Sequence, residues 1–504
     1  MTDKPIVQNA NLGASTPRLR RDLSVWEAIG VSVALMAPSM AININPQGSA
    51  GLAGRAVPLT FAIATVAVLL IAYTFVRLSQ RFNHSGSVYG FVGATIGPRS
   101  GAFSGWAMAG TYIFFGAVTS MAAGIFITSE IQSLGIWKAA PDWLGFPIGA
   151  ILLGLVWFLA TRPAKGGTRL LLIVESVTVA LILILTVIIL VRLIAGNAPG
   201  GHTFDLSVFT VEPGSDPSNV FLGVVFAFLS FAGFEAAATL GEEARNPRKD
   251  IPRAILGTAI FGGVYFIVVT AVEVMAYGAD ANGIKAFVGS GSLLGDLGTT
   301  YVAPWLGTVI TLGATISAIA CCLACVVGSS RLVFALSRDG LGPAPFKAVS
   351  ARHGVPHRAA AAASLAILAL IAIAWFVLRV KPFDLFVTSG TTGTLILLVA
   401  YVLATIGAIK LLFFSGENRV KTWEIVIPIL GLIVLGYTLF RNVWPLPEGS
   451  AWWGPGLAIA WMLIFLILVL ARPNAARRAG ELLTKSEGLV REPAQAIPAQ
   501  QTFD

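Results

Sequence analysis

Continuous apolar runs of about twenty residues recur along almost the whole of this sequence, separated by short polar connectors. At 1.5 Å of rise per residue, one such run coiled as a helix covers a hydrocarbon core about 30 Å thick. The runs do not alternate with period two, which argues for a helical bundle and against an outer-membrane barrel. Charge usage agrees: 12% of the residues are charged and 56% hydrophobic, with mean hydropathy +0.80. A soluble domain carries roughly a quarter charged residues. The chain therefore reads as an all-α integral membrane protein with about twelve transmembrane helices.

In order, the predicted spans are 24–47, 59–76, 101–127, 143–160, 170–194, one beginning near 220, 255–275, 305–336, 359–377, 385–413, 423–440 and 452–470. A net charge of +9 would suit nucleic acid only if gathered on one face, and here Lys and Arg sit in the short connectors, so no nucleic-acid partner follows. Alternate connectors hold the clusters Arg77, Arg81, Arg99; Arg162, Lys165, Arg169; Arg245, Arg248, Lys249, Arg253; Arg338, Lys347, Arg352, Arg358; and Lys410, Arg419, Lys421. The opposite loops hold scattered Arg55, Lys138 and Lys285. The positive-inside rule then places both termini in the cytoplasm of a multi-pass plasma or inner cell membrane protein, as an even number of spans requires. Residues 1–23 are polar, with Arg18, Arg20 and Arg21, and show no cleavable signal.

No enzyme signature is present: there is no Walker loop, nucleophile elbow or zinc-ligand motif. The three cysteines, Cys321, Cys322 and Cys325, share one apolar span, so no disulfide framework is implied. Cys322 and Cys325 have C-x-x-C spacing but no His or Asp nearby, and packing is the expected role. No metal or other cofactor is expected.

Two spans are interrupted. The first carries Ala37-Pro38-Ser39-Met40, where the proline removes a backbone donor and clashes with the carbonyl one turn earlier. The sixth, in the stretch 220–255, carries Ser230-Phe231-Ala232-Gly233, where glycine lets the backbone leave the helix. Irregular backbone at bilayer depth is tolerated only where protein or a watery cavity satisfies it. Paired interruptions five spans apart are the sequence pointer to a secondary transporter. The four helix ends so created offer positive N-termini and negative C-termini at the midplane, a setting for a zwitterion.

Four segments then bear on family. They are Leu23-Ser24-Val25-Trp26-Glu27; Ser85-Gly86-Ser87-Val88-Tyr89; the run from Phe231 to Arg253, with Gly-Phe-Glu, Glu-Glu and Asn-Pro-Arg-Lys-Asp-Ile-Pro-Arg; and Ser330 to Gly340. Together they resemble the amino acid-polyamine-organocation permeases of the LeuT-like fold. That resemblance implies a 5+5 inverted repeat plus two C-terminal helices: a cytoplasmic tail 1–23, a transport core 24–415, two peripheral spans 416–472 and a disordered cytoplasmic tail 473–504. The family's Gly-Ser-Gly falls on Pro38-Ser39-Met40, so both glycines are replaced, and a substrate carboxylate would use the N–H groups of Ser39, Met40 and Ala41. Phe231 falls on the family's gating aromatic, and Ala232 and Gly233 on its unwound segment. Thr111 stands where cationic amino acid carriers place a glutamate, which favours a neutral substrate. The lysine that some proton-coupled members carry falls near Ile182, and no lysine occurs in that span.

Glu175 and Glu273 are intramembrane carboxylates, which by default mark ion or proton pathways. Glu175 is a candidate for a coupling proton or an interfacial acid paired with Arg169; Glu273 reads as structural. By the resemblance Glu235 stabilises the helix after the break. Glu242, Glu243, Arg245 and Arg253 form an expected cytoplasmic ion-pair cluster. Ser317 and Cys321 either face the cavity or pack between helices. The expected function is secondary transport of a small neutral amino acid or related amine-carboxylate by alternating access. The alternatives are a carrier of a polyamine, γ-amino acid or small amine, or a non-transporting sensor.

Overall fold

The computed structural model describes residues 24–82, 87–162, 167–240, 244–350, 354–415, 420–445, 447 and 449–486. Lys165, Glu242, Glu243, the Ser85-Gly86 part of the loop motif, the side chain of Arg169, and residues 1–23 and 487–504 lie outside what is described.

The regular elements among the described residues are all helices. They are α1 (Val25–Met36), α2 (Pro38–Ala53), α3 (Val57–Arg81), α4 (Val88–Thr95), α5 (Pro98–Ser133), α6 (Gly145–Ala160), α7 (Gly167–Ile194), α8 (Asn219–Phe231), α9 (Pro247–Tyr277), α10 (Ala281–Gly289), α11 (Leu293–Tyr301), α12 (Pro304–Arg338), α13 (His357–Ala372), α14 (Pro382–Phe413), α15 (Val426–Val443), α16 (Trp453–Ala471) and α17 (Pro473–Ser486), with short 3₁₀ or π turns between some of them. Proline opens α2, α5, α9, α12, α14 and α17. At the first helical position its missing N–H is one the helix leaves unpaired anyway, and its fixed φ is already helical.

Among the described residues, eleven helical stretches are long and apolar enough to cross a membrane. The first, Val25–Arg81, runs 57 residues and holds α1–α2 as one crossing and α3 as the next, which makes twelve. Helix α5 is the pillar of the bundle: 83% of its apolar window is buried, against 22% for α16. It packs against α12, α14, α6 and α4. Where α5 crosses α6, the Gly145 carbonyl sits so close to Gly124 that any side chain at 124 would collide with it. Small residues at such crossings let backbones approach where lipid offers no hydrophobic drive. Helices α6, α13, α15 and α16 expose Ile151, Leu365, Ile433 and Ile467 on their outer faces, as lipid-facing helices should.

Two short helices, α10 and α11, fill the connector after α9 and lie on α2 and α9. The segment read from sequence as a tail beginning at 473 instead starts with α17, which packs on α5 and α4. Ala476, Ala479 and Thr484 are buried in that contact, and Gly480 rests on the Pro98 carbonyl. Its Ala, Arg, Glu and Leu are good helix formers.

Candidate functional site

The first interruption is one residue wide. Helix α1 starts under a capping box in which Ser24 and Glu27 serve each other's backbone N–H. It ends at Ala37, which adopts a left-handed conformation (φ 47°, ψ 55°) and donates its N–H to the Ala34 carbonyl at 3.1 Å. Helix α2 begins at once with Pro38, which has no N–H to offer. The next donor, the Ser39 N–H, goes to Glu175 Oε1 of α7 at 2.9 Å, in a buried setting. The Ser39 and Ser317 hydroxyls flank the same carboxylate and make no hydrogen bond to another protein group. The Ala41 N–H is spent inside the chain, on the Ala37 carbonyl at 2.8 Å.

The sixth interruption is longer. Helix α8 stops at Phe231; Ala232 turns out of the helix and Gly233 takes φ 106°. A Cβ at 233 would stand 3.2 Å from the Leu35 backbone carbon, so the position needs glycine both for its dihedral and for the close approach to α1. The chain continues through Phe234 and Glu235 into a 3₁₀ turn at Ala236–Leu240, and α9 begins at Pro247.

Hydrogen bonds tie the pieces in two sets. On one side of the breaks the Ala237 N–H donates to Ser32 Oγ at 2.8 Å, joining the 3₁₀ turn to α1. On the other, Asn45 Nδ2 donates to Ser230 Oγ at 2.7 Å and Ser49 Oγ to the Gly223 carbonyl at 2.9 Å, joining α2 to α8. That second set is itself covered by α11. Asn43 Oδ1 accepts from Ser292 Oγ at 3.0 Å and from the Leu294 N–H at 2.9 Å, and Gln47 donates to the Ser290 carbonyl at 2.8 Å.

Between the two breaks lies a cavity of about 220 Å³. Leu35, Met36 and Met40 line it from the first break, and Leu229, Ala232, Gly233 and Glu235 from the sixth. Its other walls come from α5, α12 and α14, and it reaches Ser87 and Val88 at the start of α4. The volume is below the roughly 300–1,000 Å³ of pockets for drug-sized ligands, so the occupant is small. Among the described residues, Glu235 is the one carboxylate on the wall, and no Lys, Arg or His lines it. Its Oε2 is buried without a hydrogen-bond partner. Tyr401 of α14 stands beside that carboxyl.

A family model described as amino acid permease matches residues 31–476. The chain belongs to that family. Its relatives include a low-affinity putrescine importer of Escherichia coli (strain K12), 25% identical over 440 residues that cover 85% of this chain and 90% of the importer. A branched-chain amino acid permease of Lactococcus lactis subsp. cremoris (strain MG1363) is 25% identical over 429 residues, 82% of this chain and 87% of the relative. Human cationic amino acid transporter 4 is 28% identical over 417 residues, 78% of this chain and 60% of the human protein. The chain is thus a multi-pass membrane permease and not an enzyme.

Of the residues singled out in the permease sequence, Met40, Thr111, Ala232, Gly233 and Cys321 line the cavity. Thr111 donates its hydroxyl to the Gly393 carbonyl at 3.3 Å. Pro38, Ser39 and Ala41 are buried behind Met40, off the wall. Two of the three backbone donors expected to hold a substrate carboxylate are already engaged, Ser39 by Glu175 and Ala41 by Ala37. Ser317 belongs to the Glu175 cluster rather than to the wall. Phe231 turns its ring against Phe266 of α9, with centroids 5.3 Å apart and planes at 75°, and over Gly262. Leu229 and Ala232 face the cavity in its place. Cys322 contacts Ser120 Oγ at 3.4 Å. Glu273 is fully buried in α9, with neither carboxyl oxygen hydrogen-bonded.

Sequence reasoning missed Tyr112, Met108 and Phe115 on the wall, and it gave Glu235 only a helix-stabilising role. The signal for Glu235 was present: a carboxylate directly after a break in an apolar span is a functional hypothesis by default. The aromatic wall residues carried none, because a Tyr or Phe on an apolar helix reads as packing.

Proposed function

We propose that this permease is a secondary active carrier of a small amine-bearing solute, an amino acid or an amine, working by alternating access around the two interrupted helices. The observation that carries the reading is the position of the cavity. It lies where both breaks meet, with the segments on one side hydrogen-bonded to each other and those on the other side likewise. Such an arrangement lets each side open as a unit about a shared site. In this conformation α10 and α11 cover α2, while the cavity extends toward α4. The clusters of Lys and Arg in the connectors make the α4 face the cytoplasmic one, with both termini on that side, so the conformation is inward-facing. Glu175, held at the joint of the first break, is the coupling candidate.

Uptake into proteoliposomes across a panel of labelled amino acids and amines, with and without an imposed proton or sodium gradient, tests the proposal. Concentrative uptake of at least one compound under a gradient is the expected result. Saturable binding without flux would replace the carrier by a sensor.

A further inference from the structure

We infer that the carrier is built for amines that lack an α-carboxylate, and that Glu175 enforces this by occupying, with its own carboxylate, the backbone donor that a substrate carboxylate would need. The inference rests on the transport reading above and names the substrate class of the same cavity.

A helix N-terminus is a ready-made anion site, because its first N–H groups are unpaired and its dipole carries about half a positive charge. Helix α2 starts at the first break, beside this cavity, and its first turn has little left to give. Pro38 has no N–H, the Ser39 N–H is bonded to Glu175, and the Ala41 N–H is bonded to Ala37. What remains is Met40, whose side chain itself forms part of the wall. The Glu175 carboxyl thus sits where an anion would meet that helix end.

The rest of the wall favours positive charge. Helices α1 and α8 both finish at the cavity, through Leu35, Met36 and Leu229, and helix C-termini carry partial negative charge. Glu235 adds a carboxyl whose buried Oε2 makes no hydrogen bond among the described residues, and no described Lys, Arg or His lines the wall to meet a substrate anion. An α-carboxylate brought here would be desolvated with no cationic partner among the described wall residues, whereas an ammonium finds carbonyl and carboxyl acceptors. Met36, Met108, Phe115 and Leu397 supply an apolar surface for a short hydrocarbon chain. The relatives do not decide the matter, since a putrescine importer and a branched-chain amino acid permease are both 25% identical to this chain.

The test uses two pairs of compounds that differ only by the carboxylate: isoamylamine with leucine, and putrescine with ornithine. Equilibrium binding to the full-length protein in proteoliposomes, without any gradient, removes coupling from the comparison. Each amine is expected to outbind its amino acid by about tenfold or more, the worth of one charge-assisted hydrogen bond. Glu175→Ala empties the Ser39 N–H, so the amine-over-acid ratio falls by about tenfold, through tighter amino acid binding. Glu175→Gln keeps an acceptor for that N–H but removes the charge, so the ratio falls less; it also decides the matter if the alanine variant does not fold. A purely structural Glu175 would weaken amine and amino acid alike and leave the ratio unmoved. Glu235→Gln is expected to weaken amine and amino acid together.

Leucine bound as tightly as isoamylamine by the wild type, or a ratio unchanged in both folded Glu175 variants, overturns the inference. In the first of those outcomes, leucine uptake would leave the transport reading intact. Absence of flux for every compound of the panel would remove the transport reading, and with it the inference that rests on it.

Discussion

The two interruptions solve the same problem in opposite ways. At the first, α-helix stops and restarts across a single residue, Ala37, and a third helix reaches in with Glu175 to satisfy the new N-terminus. At the sixth, α-helix ends at Phe231 and the chain passes into a 3₁₀ turn at Ala236–Leu240, and the carboxyl in reach, Glu235, faces the cavity instead of a helix end. One break is closed by a carboxyl from another helix, and the other leaves its own carboxyl facing the cavity. The lesson is that an interrupted helix marks a site, while the side chains that enter the interruption decide what the site will hold.

The sharpest way to break that comparison is Phe231→Ala. The ring is fully buried against Phe266 and Gly262, so its removal is expected to cost about 3–5 kcal/mol of stability. Thermal unfolding in detergent reads this directly. A variant of wild-type stability with lost uptake would instead make Phe231 a gate that another conformation swings over the substrate.

Next is Gly233→Ala. At φ 106° a side chain is strained, and its Cβ would press on Leu35. Strain and crowding together are expected to cost about 2–4 kcal/mol and to abolish uptake. Retention of both stability and transport would show that the two breaks need not approach so closely.

Much of this was legible in the sequence and some was not, for identifiable reasons. Span number and the places of both breaks follow from run length, Pro38 and Gly233, which are local properties. The pairing of Ser39 with Glu175 spans 136 positions. It depends on how α7 lies against α2, and no spacing rule encodes that. Phe231 was assigned to the cavity by position in a motif, but on a helix one residue is about 100° of rotation and two are about 200°, enough to exchange it for Ala232 or Leu229. Helix α17 was hidden because its helix formers were averaged with the Pro- and Gln-rich stretch that follows.

A smaller effect is expected on coupling. If the first break is where a proton is felt, Glu175→Gln, which cannot ionise, removes the dependence of uptake on an imposed inward proton gradient while uptake down a substrate gradient continues. The measurement is initial rate against external pH, at fixed internal pH, for wild type and variant. Parallel profiles would confine Glu175 to the selectivity role.

The smallest effect, and the fairest control, is the reverse exchange at the other break, Ala37→Gly. Alanine in the left-handed region costs roughly 1–2 kcal/mol, which glycine would relieve. Against this stand the greater freedom of glycine in the unfolded chain, about 0.5–1 kcal/mol, and the loss of a buried methyl group worth about 0.8 kcal/mol. The opposing contributions nearly cancel, so the melting temperature should shift little in either direction. Swapping Ala for Gly at 37 and Gly for Ala at 233 therefore should give unequal outcomes, because φ 47° with ψ 55° is a well that alanine can occupy whereas φ 106° against the Leu35 backbone is not. A large loss at both positions would mean that the methyl of Ala37 is itself wedged between the halves of the first span, and the contrast between a closed break and an open one would have to be redrawn around packing rather than around Glu175.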